Sequence, residues 1–245
     1  MSALLKVRGL TKRFGGLRAV DDLEFTVDSG QIVGLIGPNG AGKTTVFNLI
    51  SGSIRPDHGN ISLDGRDIAG WSPHRVCRAG LARTFQVVRP FGSLTVVDNV
   101  LVGAVGGGAS DAESWPIVEE TLEFVGLTAL AGTRAGELSL MNLKRLEVAR
   151  ALASRPKLML LDEVFAGLTP RELPEAVRLV KNIRERGVAI VVIEHLMEVV
   201  MELSEHVVVL HHGQQLASGS PDHVVHDTSV IAAYLGTEYL DATGE

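Results

Sequence analysis

A single stretch, Gly37-Pro38-Asn39-Gly40-Ala41-Gly42-Lys43-Thr44-Thr45, constrains this chain more than any other part of it. It matches the pattern Gly-x-x-x-x-Gly-Lys-[Ser/Thr], follows an apolar run and leads into a helical pattern, which is the context a phosphate-binding loop needs. Its glycines let backbone N–H groups turn toward phosphate oxygens, and the N-terminus of the next helix adds a positive dipole end. The alternative, a solvated glycine-rich turn, does not account for the full match in this context.

The last three side chains of this loop have distinct expected roles toward a nucleoside triphosphate. Lys43 is expected to bridge the β- and γ-phosphates, and Thr44 to offer its hydroxyl to Mg²⁺. Thr45 is expected to lie toward the α-phosphate. The loop therefore predicts a bound nucleotide together with magnesium.

Two carboxylates and a histidine follow two other apolar runs of the chain. Asp162 and Glu163 come directly after the run 157–161, and His195 follows the run 188–193. Ligands of open α/β sheets lie beyond the carboxyl ends of the strands, so Asp162 is expected to hold Mg²⁺ through water. Glu163 is expected to act as general base or to orient the attacking water, and His195 to bond the γ-phosphate. The alternatives are a solvated acidic turn and a structural histidine.

Phe14 lies in a turn between two predicted strands, 4–8 and 17–27. An aromatic ring ahead of the phosphate loop could stack on a nucleotide base, or it could plug the small sheet, and the spacing leaves both interpretations open. Val20, in the second of these strands, is predicted as a further nucleotide contact.

The succession of strands and helices predicts an α/β fold, a P-loop core with a mostly parallel sheet. Residues 1–86 and 156–245 are assigned to the nucleotide-binding core together with an N-terminal antiparallel β subdomain. Residues 87–155 are assigned to an inserted helical subdomain, with helices expected over 95–102, 115–125 and 140–154.

The glycine-rich stretch 106–110, inside the helical region, superficially resembles a second phosphate loop. No strand precedes it and no Lys-Thr pair follows it, which favours a flexible connection.

The composition indicates a globular chain with an acidic balance. The 245 residues are 45% hydrophobic, enough for a substantial core, and carry a net charge of −6 without a basic block. Nucleic acid is therefore not an expected partner. A single cysteine, Cys77, excludes an internal disulfide. Neither a run of roughly 18 apolar residues nor a signal-peptide pattern occurs, so the chain itself is expected to be cytoplasmic and soluble.

Taken in order, these motifs resemble those of an ABC-transporter ATP-binding subunit. The residues that carry the resemblance are the loop 37–45, Gln86, Leu160-Leu161-Asp162-Glu163, Ala166-Gly167-Leu168 and Ile193-Glu194-His195. Three stretches are similar, more narrowly, to the importers of branched-chain amino acids: Arg13-Phe14-Gly15-Gly16-Leu17, Arg83-Thr84-Phe85-Gln86 and Ile231-Ala232-Ala233-Tyr234-Leu235-Gly236. The resemblance covers essentially the whole chain.

The resemblance implies an ATPase that works at a membrane with ATP and Mg²⁺. It implies that Gln86 reaches the metal ion and couples the site to a transmembrane subunit, that Phe14 stacks on adenine, and that His195 is the switch histidine. It also implies a head-to-tail dimer, with ATP between one subunit's loop and the signature helix of the other. Two permease subunits, an extracytoplasmic solute-binding protein and a position on the cytoplasmic face of the cell membrane complete this expectation.

The signature itself departs from the family pattern Leu-Ser-Gly-Gly-Gln, because the chain reads Leu138-Ser139-Leu140-Met141-Asn142. Ser139 can still cap the helix and donate to the γ-phosphate of ATP in the partner. Met141 should hold the helix backbone farther from that phosphate or point away from it. Val164 replaces a proline, and Thr169 stands where many relatives place an acid.

These departures fall on surfaces offered to the partner, whereas the loop, metal ligand, base and switch are complete. The pattern therefore predicts an asymmetric heterodimer in which the site closed by Met141 turns over slowly or not at all.

The function expected from all of this is ATP hydrolysis that powers import of branched-chain amino acids or related small amides. An ATP-binding subunit of a lipid or lipopolysaccharide exporter is one alternative, since the substrate is chosen by other chains. A non-transport ATP-dependent clamp is another. It is disfavoured because nucleic-acid clamps usually carry two such domains or a long coiled coil, and this chain has neither.

Overall fold

The computed structural model describes residues 3–86 and 88–235 of the chain. Residue 87, where the helical subdomain was predicted to begin, Gly236 and the rest of the predicted core at 237–245 lie outside the described residues. The strands are β1 (Leu5–Phe14), β2 (Leu17–Val27), β3 (Ile32–Ile36), β4 (His58–Leu63), β5 (Arg66–Asp67), β6 (Leu81–Arg83), β7 (Leu158–Asp162), β8 (Ala189–Ile193), β9 (His206–His211) and β10 (Gln214–Gly219). The α-helices are α1 (Lys43–Ile50), α2 (Pro73–Arg78), α3 (Val96–Gly107), α4 (Asp111–Val125), α5 (Leu140–Ala153), α6 (Leu173–Glu185), α7 (Met197–Leu203), α8 (Pro221–Val225) and α9 (Thr228–Leu235).

A six-stranded sheet in the order β10-β9-β3-β8-β7-β6 forms the centre of the fold. Its strands run parallel except for β10, which pairs antiparallel with β9 at one edge. Every residue of β3, β7 and β8 is buried, as expected for strands covered by helices on both faces. The carboxyl ends of β3, β7 and β8 therefore meet at one edge, and the predicted mostly parallel core is confirmed.

A second sheet, antiparallel and four-stranded, has the order β2-β1-β4-β5. Its β1–β2 pairing shifts register between Val7 and Leu10 and again toward Lys12. Asp22, in β2, has a backbone φ of +54°, a left-handed conformation typical of such irregularities. The part of β2 around residues 21–22 is thus bulged.

Helices α3, α4 and α5 lie between β6 and β7 in the chain and enclose an apolar cluster of their own. The predicted connection over 106–110 is shorter in the structure, where residues 108–110 join α3 to α4. Gly106 and Gly107 are the last residues of α3, Gly108 ends that helix with a left-handed φ of +100°, and Ser110 is the N-cap of α4. Glycine in this place serves close packing, since a Cβ on Gly107 would lie 2.6 Å from the Cα of Ser154.

Within the described residues, no helix combines the length and apolar character needed to cross a membrane.

Candidate nucleotide-binding site

The phosphate loop opens onto a cleft of about 570 Å³ at the carboxyl edge of the large sheet. The cleft brings together residues that are far apart in the chain. They are Phe14, Leu17, Arg18, Ala19, Asn39, Gly40, Ala41, Gly42, Lys43, Thr44, Thr45, Gln86, Glu163, His195 and His212.

Two glycines of the loop are required by the backbone that passes behind it. Gly37 and Gly42 have φ values of +148° and +107°. A Cβ on Gly37 would lie 2.1 Å from the carbonyl oxygen of Leu210, and one on Gly42 would lie 2.4 Å from that of Ala19. The loop can therefore adopt its shape only with glycine at these two positions.

Lys43 is the cation of the site and is buried although it carries a charge. Its Nζ donates to the carbonyl oxygens of Gly37 at 2.6 Å and Pro38 at 2.9 Å. Burial lowers the pKa of Lys43, while the carboxylates of Glu163 and Asp162 oppose this shift. The ammonium is thus held over the loop, where phosphate oxygens can replace carbonyls as its partners.

Glu163 lies at the centre of the polar contacts on the far side of the cleft. Its Oε2 accepts from Nε2 of Gln86 at 2.7 Å, and its Oε1 is 2.6 Å from Nε2 of His195. The Glu163 N–H donates to the carbonyl of Ile193 in the next strand at 2.9 Å, with a left-handed φ of +49° at Glu163. A non-glycine residue held in this conformation is typical of functional positions. The structure therefore brings the predicted base, Gln86 and the histidine into one hydrogen-bonded group.

Asp162 is buried and paired with Arg83, which sequence reasoning did not assign to the site. The Arg83 guanidinium donates to Oδ2 of Asp162 at 3.0 Å and to Oδ1 of Asn48 at 2.6 Å. Burial raises the pKa of Asp162, and the Arg83 hydrogen bond and charge oppose it. The one signal in the sequence that could have indicated a role for Arg83 is its position three residues before Gln86.

The predicted magnesium ligands supply oxygen atoms, which suit a hard divalent cation. Thr44 and Gln86 line the cleft, and both also line an adjoining groove together with Asp162. Among residues 3–86 and 88–235, no cluster of three His, Cys, Asp or Glu side chains could hold a metal ion. The oxygen atoms of Thr44, Gln86 and Asp162 fit Mg²⁺, because this ion usually keeps several water ligands and binds through few protein oxygens together with substrate phosphates.

Phe14 and Val20 differ in their relation to the cleft. Phe14 is half exposed and lines the cleft, with Nζ of Lys12 5.6 Å from the ring centroid. Val20 is fully buried, at 0% exposure, in the core beneath the loop, and the residue before it, Ala19, is the one that lines the cleft. The prediction of Val20 as a nucleotide contact is therefore corrected, because the alternation of β2 turns its side chain inward.

The signature residues lie at the start of α5, away from this cleft. Ser139 is the N-cap, and its Oγ accepts from the N–H of Asn142 at 3.4 Å. Met141 is 7% exposed and packs in the apolar cluster that includes Phe165, so its side chain points inward. Leu140 is 45% exposed and lies against Gly167. The side chain that projects at this surface is therefore Leu140. Of the two possibilities given for Met141 above, the structure shows the one in which its side chain points away from this surface.

The loop, the acid pair and the parallel sheet define a P-loop protein that binds a nucleoside triphosphate. A family model described as "ABC transporter" matches residues 20–166, and one described as "Branched-chain amino acid ATP-binding cassette transporter" matches residues 214–239. The chain belongs to the ATP-binding subunits of ABC transporters, which are ATPases.

Curated relatives and solved structures agree with this assignment. The chain is 42% identical to the high-affinity branched-chain amino acid transport ATP-binding protein BraF of Pseudomonas aeruginosa, over 95% of this chain and 98% of that protein. It is 38% identical to the lipopolysaccharide export system ATP-binding protein LptB of Acidithiobacillus ferridurans, over 98% and 99% of the two chains. An ATP-binding cassette of an ABC transporter in its ADP conformation superposes with a TM-score of 0.87 at 31% identity, covering 96% of this chain and 100% of that chain.

Proposed function

We propose that this chain is the ATP-hydrolysing subunit of an importer for branched-chain amino acids or related small amides. The observation that carries the enzymatic part is the Glu163 carboxylate, bonded to Gln86 and His195 across the cleft from Lys43. The C-terminal match at 214–239 and the 42% identity to BraF support the substrate class.

The site residues predicted from the sequence have the following proposed parts in hydrolysis. Lys43 and the N–H groups of the loop 37–45 bind the phosphates, and Phe14 stacks on the base. Asp162, Thr44 and Gln86 would hold Mg²⁺, which would supply positive charge to stabilise the triphosphate. Glu163 accepts the proton of the attacking water or orients it, and His195 contacts the γ-phosphate and fixes the Glu163 carboxylate.

A groove beside the cleft is the proposed docking surface for a permease subunit. It has a volume of about 690 Å³ and an apolar wall with basic groups, including Phe85, Val102, Arg89 and Arg150. Gln86 and Thr44 line both the groove and the cleft, so an occupant of the groove lies next to the metal ligands. Binding here would place the chain on the cytoplasmic face of the cell membrane, with an extracytoplasmic solute-binding protein completing the complex.

A head-to-tail dimer, preferably with a second kind of ATP-binding subunit, is part of the proposal. Ser139, at the exposed N-terminus of α5, would donate to ATP bound by the partner. Because the altered signature lies on this surface, the site that it closes is proposed to turn over slowly. The division into a helical subdomain at 87–155 and a core at 1–86 and 156–245 is retained as a proposal.

Two variants test the enzymatic part on the purified full chain, with and without its companion subunit. Lys43→Ala should abolish retention of Mg·ATP in equilibrium dialysis, because it removes the cation of the cleft. Glu163→Gln should retain Mg·ATP and lose about 10²-fold or more of its turnover, the range for a missing general base. Lys181→Ala, on the exposed face of α6, is the control. Normal Mg·ATP retention by Lys43→Ala would refute the proposal.

Lipopolysaccharide export is the second candidate, favoured by the 38% identity to LptB. The assembled transporter in liposomes separates the two functions. Stimulation of ATP turnover by a solute-binding protein loaded with leucine, isoleucine or valine supports import, and stimulation by lipopolysaccharide alone supports export.

A further inference from the structure

Three charged side chains, spaced three residues apart on α5, each bond a backbone group in the segment around Gln86 or at Glu163. Nζ of Lys144 donates to the carbonyl of Glu163 at 3.0 Å. Oε1 of Glu147 accepts from the N–H of Phe85 at 2.8 Å. The Arg150 guanidinium donates to the carbonyl of Arg89 at 2.9 Å. One face of α5 therefore contacts the chain on both sides of Gln86 and the residue that bears the water-orienting carboxylate.

Glu147 is the member of this row whose presence is hardest to explain by stability. It is 7% exposed, and its Oε2 is buried without a hydrogen-bond partner among the described residues. Burial raises the pKa of Glu147, and only the Phe85 N–H and the charges of Lys144 and Arg150 oppose this shift. A buried carboxyl group with one unsatisfied oxygen destabilises a fold, whereas an apolar side chain of similar size does not.

Among the described residues, the side chain of Glu147 makes one hydrogen bond, to the N–H of Phe85, next to Gln86. Phe85 directly precedes Gln86, whose amide reaches Oε2 of Glu163 at 2.7 Å. Phe85 is itself exposed and cannot be fixed by burial of its ring. Thr84, directly after β6, is buried and bonded to β7 through its own N–H and hydroxyl. The carboxylate of Glu147 holds the next residue, Phe85, and with it the backbone from which the Gln86 side chain starts.

We propose that Glu147 is a positioning residue for hydrolysis: it fixes the Phe85 N–H so that Gln86 can bond the Glu163 carboxylate. The proposal rests on the function proposed above. Since α5 begins directly after its N-cap Ser139, the same helix that would face ATP in the partner is joined through Glu147 to the segment that carries Gln86 in its own site. A shift of α5 against the core would thus move Gln86 and change turnover without any change in the loop 37–45.

The test compares two replacements of Glu147 in the full chain, assayed with its companion subunit. Glu147→Gln keeps an acceptor for the Phe85 N–H and should keep kcat within about threefold. Glu147→Leu fills the same space without an acceptor and should lower kcat at least about tenfold, with KM for ATP within about twofold. Its melting temperature should stay equal or rise. Glu119→Leu, on the exposed face of α4, is the control for adding a leucine.

Two further measurements connect the loss to Gln86. In a Gln86→Ala background, Glu147→Leu should cause no additional loss of kcat, because a residue that acts through Gln86 has nothing left to position. Hydrogen exchange should be faster at the Phe85 amide in Glu147→Leu than in Glu147→Gln.

Several outcomes would overturn the proposal. They are an unchanged kcat in Glu147→Leu, equal losses in the Leu and Gln variants, additive losses with Gln86→Ala, or a fall of kcat that follows a fall of melting temperature. If Glu147→Leu does not fold, Glu147→Met takes its place, and failure of both to fold would show a structural role. An unaltered chain without any ATPase would instead contradict the function proposed above.

Discussion

Glu194, the residue before His195, is a buried acid whose protonation affects the segment that follows Glu163. Its Oε1 accepts from the N–H of Phe165 at 3.0 Å, and it is almost fully buried. Burial raises the pKa of Glu194 to about 7, and the negative charge of Glu163 adds to this. At neutral pH the carboxyl group is therefore divided between its protonated and ionised forms.

The pKa of Glu194 predicts how stability depends on pH. The native carboxyl keeps its proton up to about pH 7, whereas an unfolded glutamate loses it near 4.5. The native state therefore binds more protons between these values, and the free energy of unfolding falls as pH rises through this window, by about 2–3 kcal/mol. Glu194→Gln keeps the acceptor for Phe165 without the ionisation, so it should match the unaltered chain at pH 5 and exceed it by about 2 kcal/mol at pH 8.

Urea unfolding at pH 5, 6, 7 and 8 measures this difference. Glu119→Gln, an exposed change on α4, controls for the loss of one negative charge. A Glu194→Gln variant that gains no stability between pH 5 and 8 relative to the unaltered chain would contradict the prediction.

At the residue scale, the sequence could predict those side chains that a local motif or a strand end identifies. Lys43 belongs to the loop motif, whereas Glu163 and His195 lie at the ends of apolar runs, and parallel strands bring these positions to one edge. Arg83 and Glu147 could not be found in this way. Their roles depend on contacts with residues 79 and 62 positions away, and each looks like an ordinary charge in its own segment.

At the scale of elements, the packing of α3 on α5 depends on glycines inside a helix. Gly103 lies so close to α5 that a Cβ there would be 2.2 Å from the carbonyl oxygen of Arg150. A Cβ on Gly106, in the same helix, would meet nothing within 4 Å. The first glycine is therefore needed for contact between the helices, and the second is not.

These two glycines predict opposite effects of the same substitution. Gly103→Ala should destabilise the fold by about 1–3 kcal/mol, because α3 and α5 must separate to admit the methyl group. Gly106→Ala should stabilise it by up to about 1 kcal/mol, because alanine favours the helix more than glycine does. Thermal unfolding of both variants provides the comparison, with about 2–4 °C expected per kcal/mol for a chain of this size. A stable Gly103→Ala variant would show that the two helices do not require this close approach.

The same helices show why a sequence can mislead about an element. The glycines near the end of α3 lower helix propensity, so the pattern predicted a helix that stops near 102 and a flexible stretch after it. The structure extends α3 to Gly107, because the bare backbone lets the helix lie against Ser154 and the gain from packing exceeds the lost propensity. In the buried strands β3, β7 and β8, local propensity and packing favour the same structure, so the sequence predicted these strands correctly.

At the scale of the whole molecule, the altered signature at residues 138–142 bears on the proposed dimer, because it would face the ATP bound by the partner subunit. Met141 is built into the cluster around Phe165, so it contributes to the core of its own subunit. Leu140, at the exposed start of α5, is the side chain that a partner's ATP loop would meet. The slow turnover proposed for that site is therefore attributed to Leu140, which replaces the hydrogen-atom side chain of glycine at a place of close approach.

This attribution predicts different effects for two neighbouring substitutions in the assembled heterodimer. In a Glu163→Gln background, which silences the chain's own ATP site, the remaining turnover reports the site that its α5 closes. Leu140→Gly should raise that turnover by about tenfold or more, since a close phosphate contact is typically worth over 1.4 kcal/mol. Met141→Ala should not raise it, and should lower the free energy of unfolding by about 2–4 kcal/mol through loss of buried contacts. A rise of turnover with Met141→Ala, or none with Leu140→Gly, would place the cause of the asymmetry elsewhere on the dimer surface.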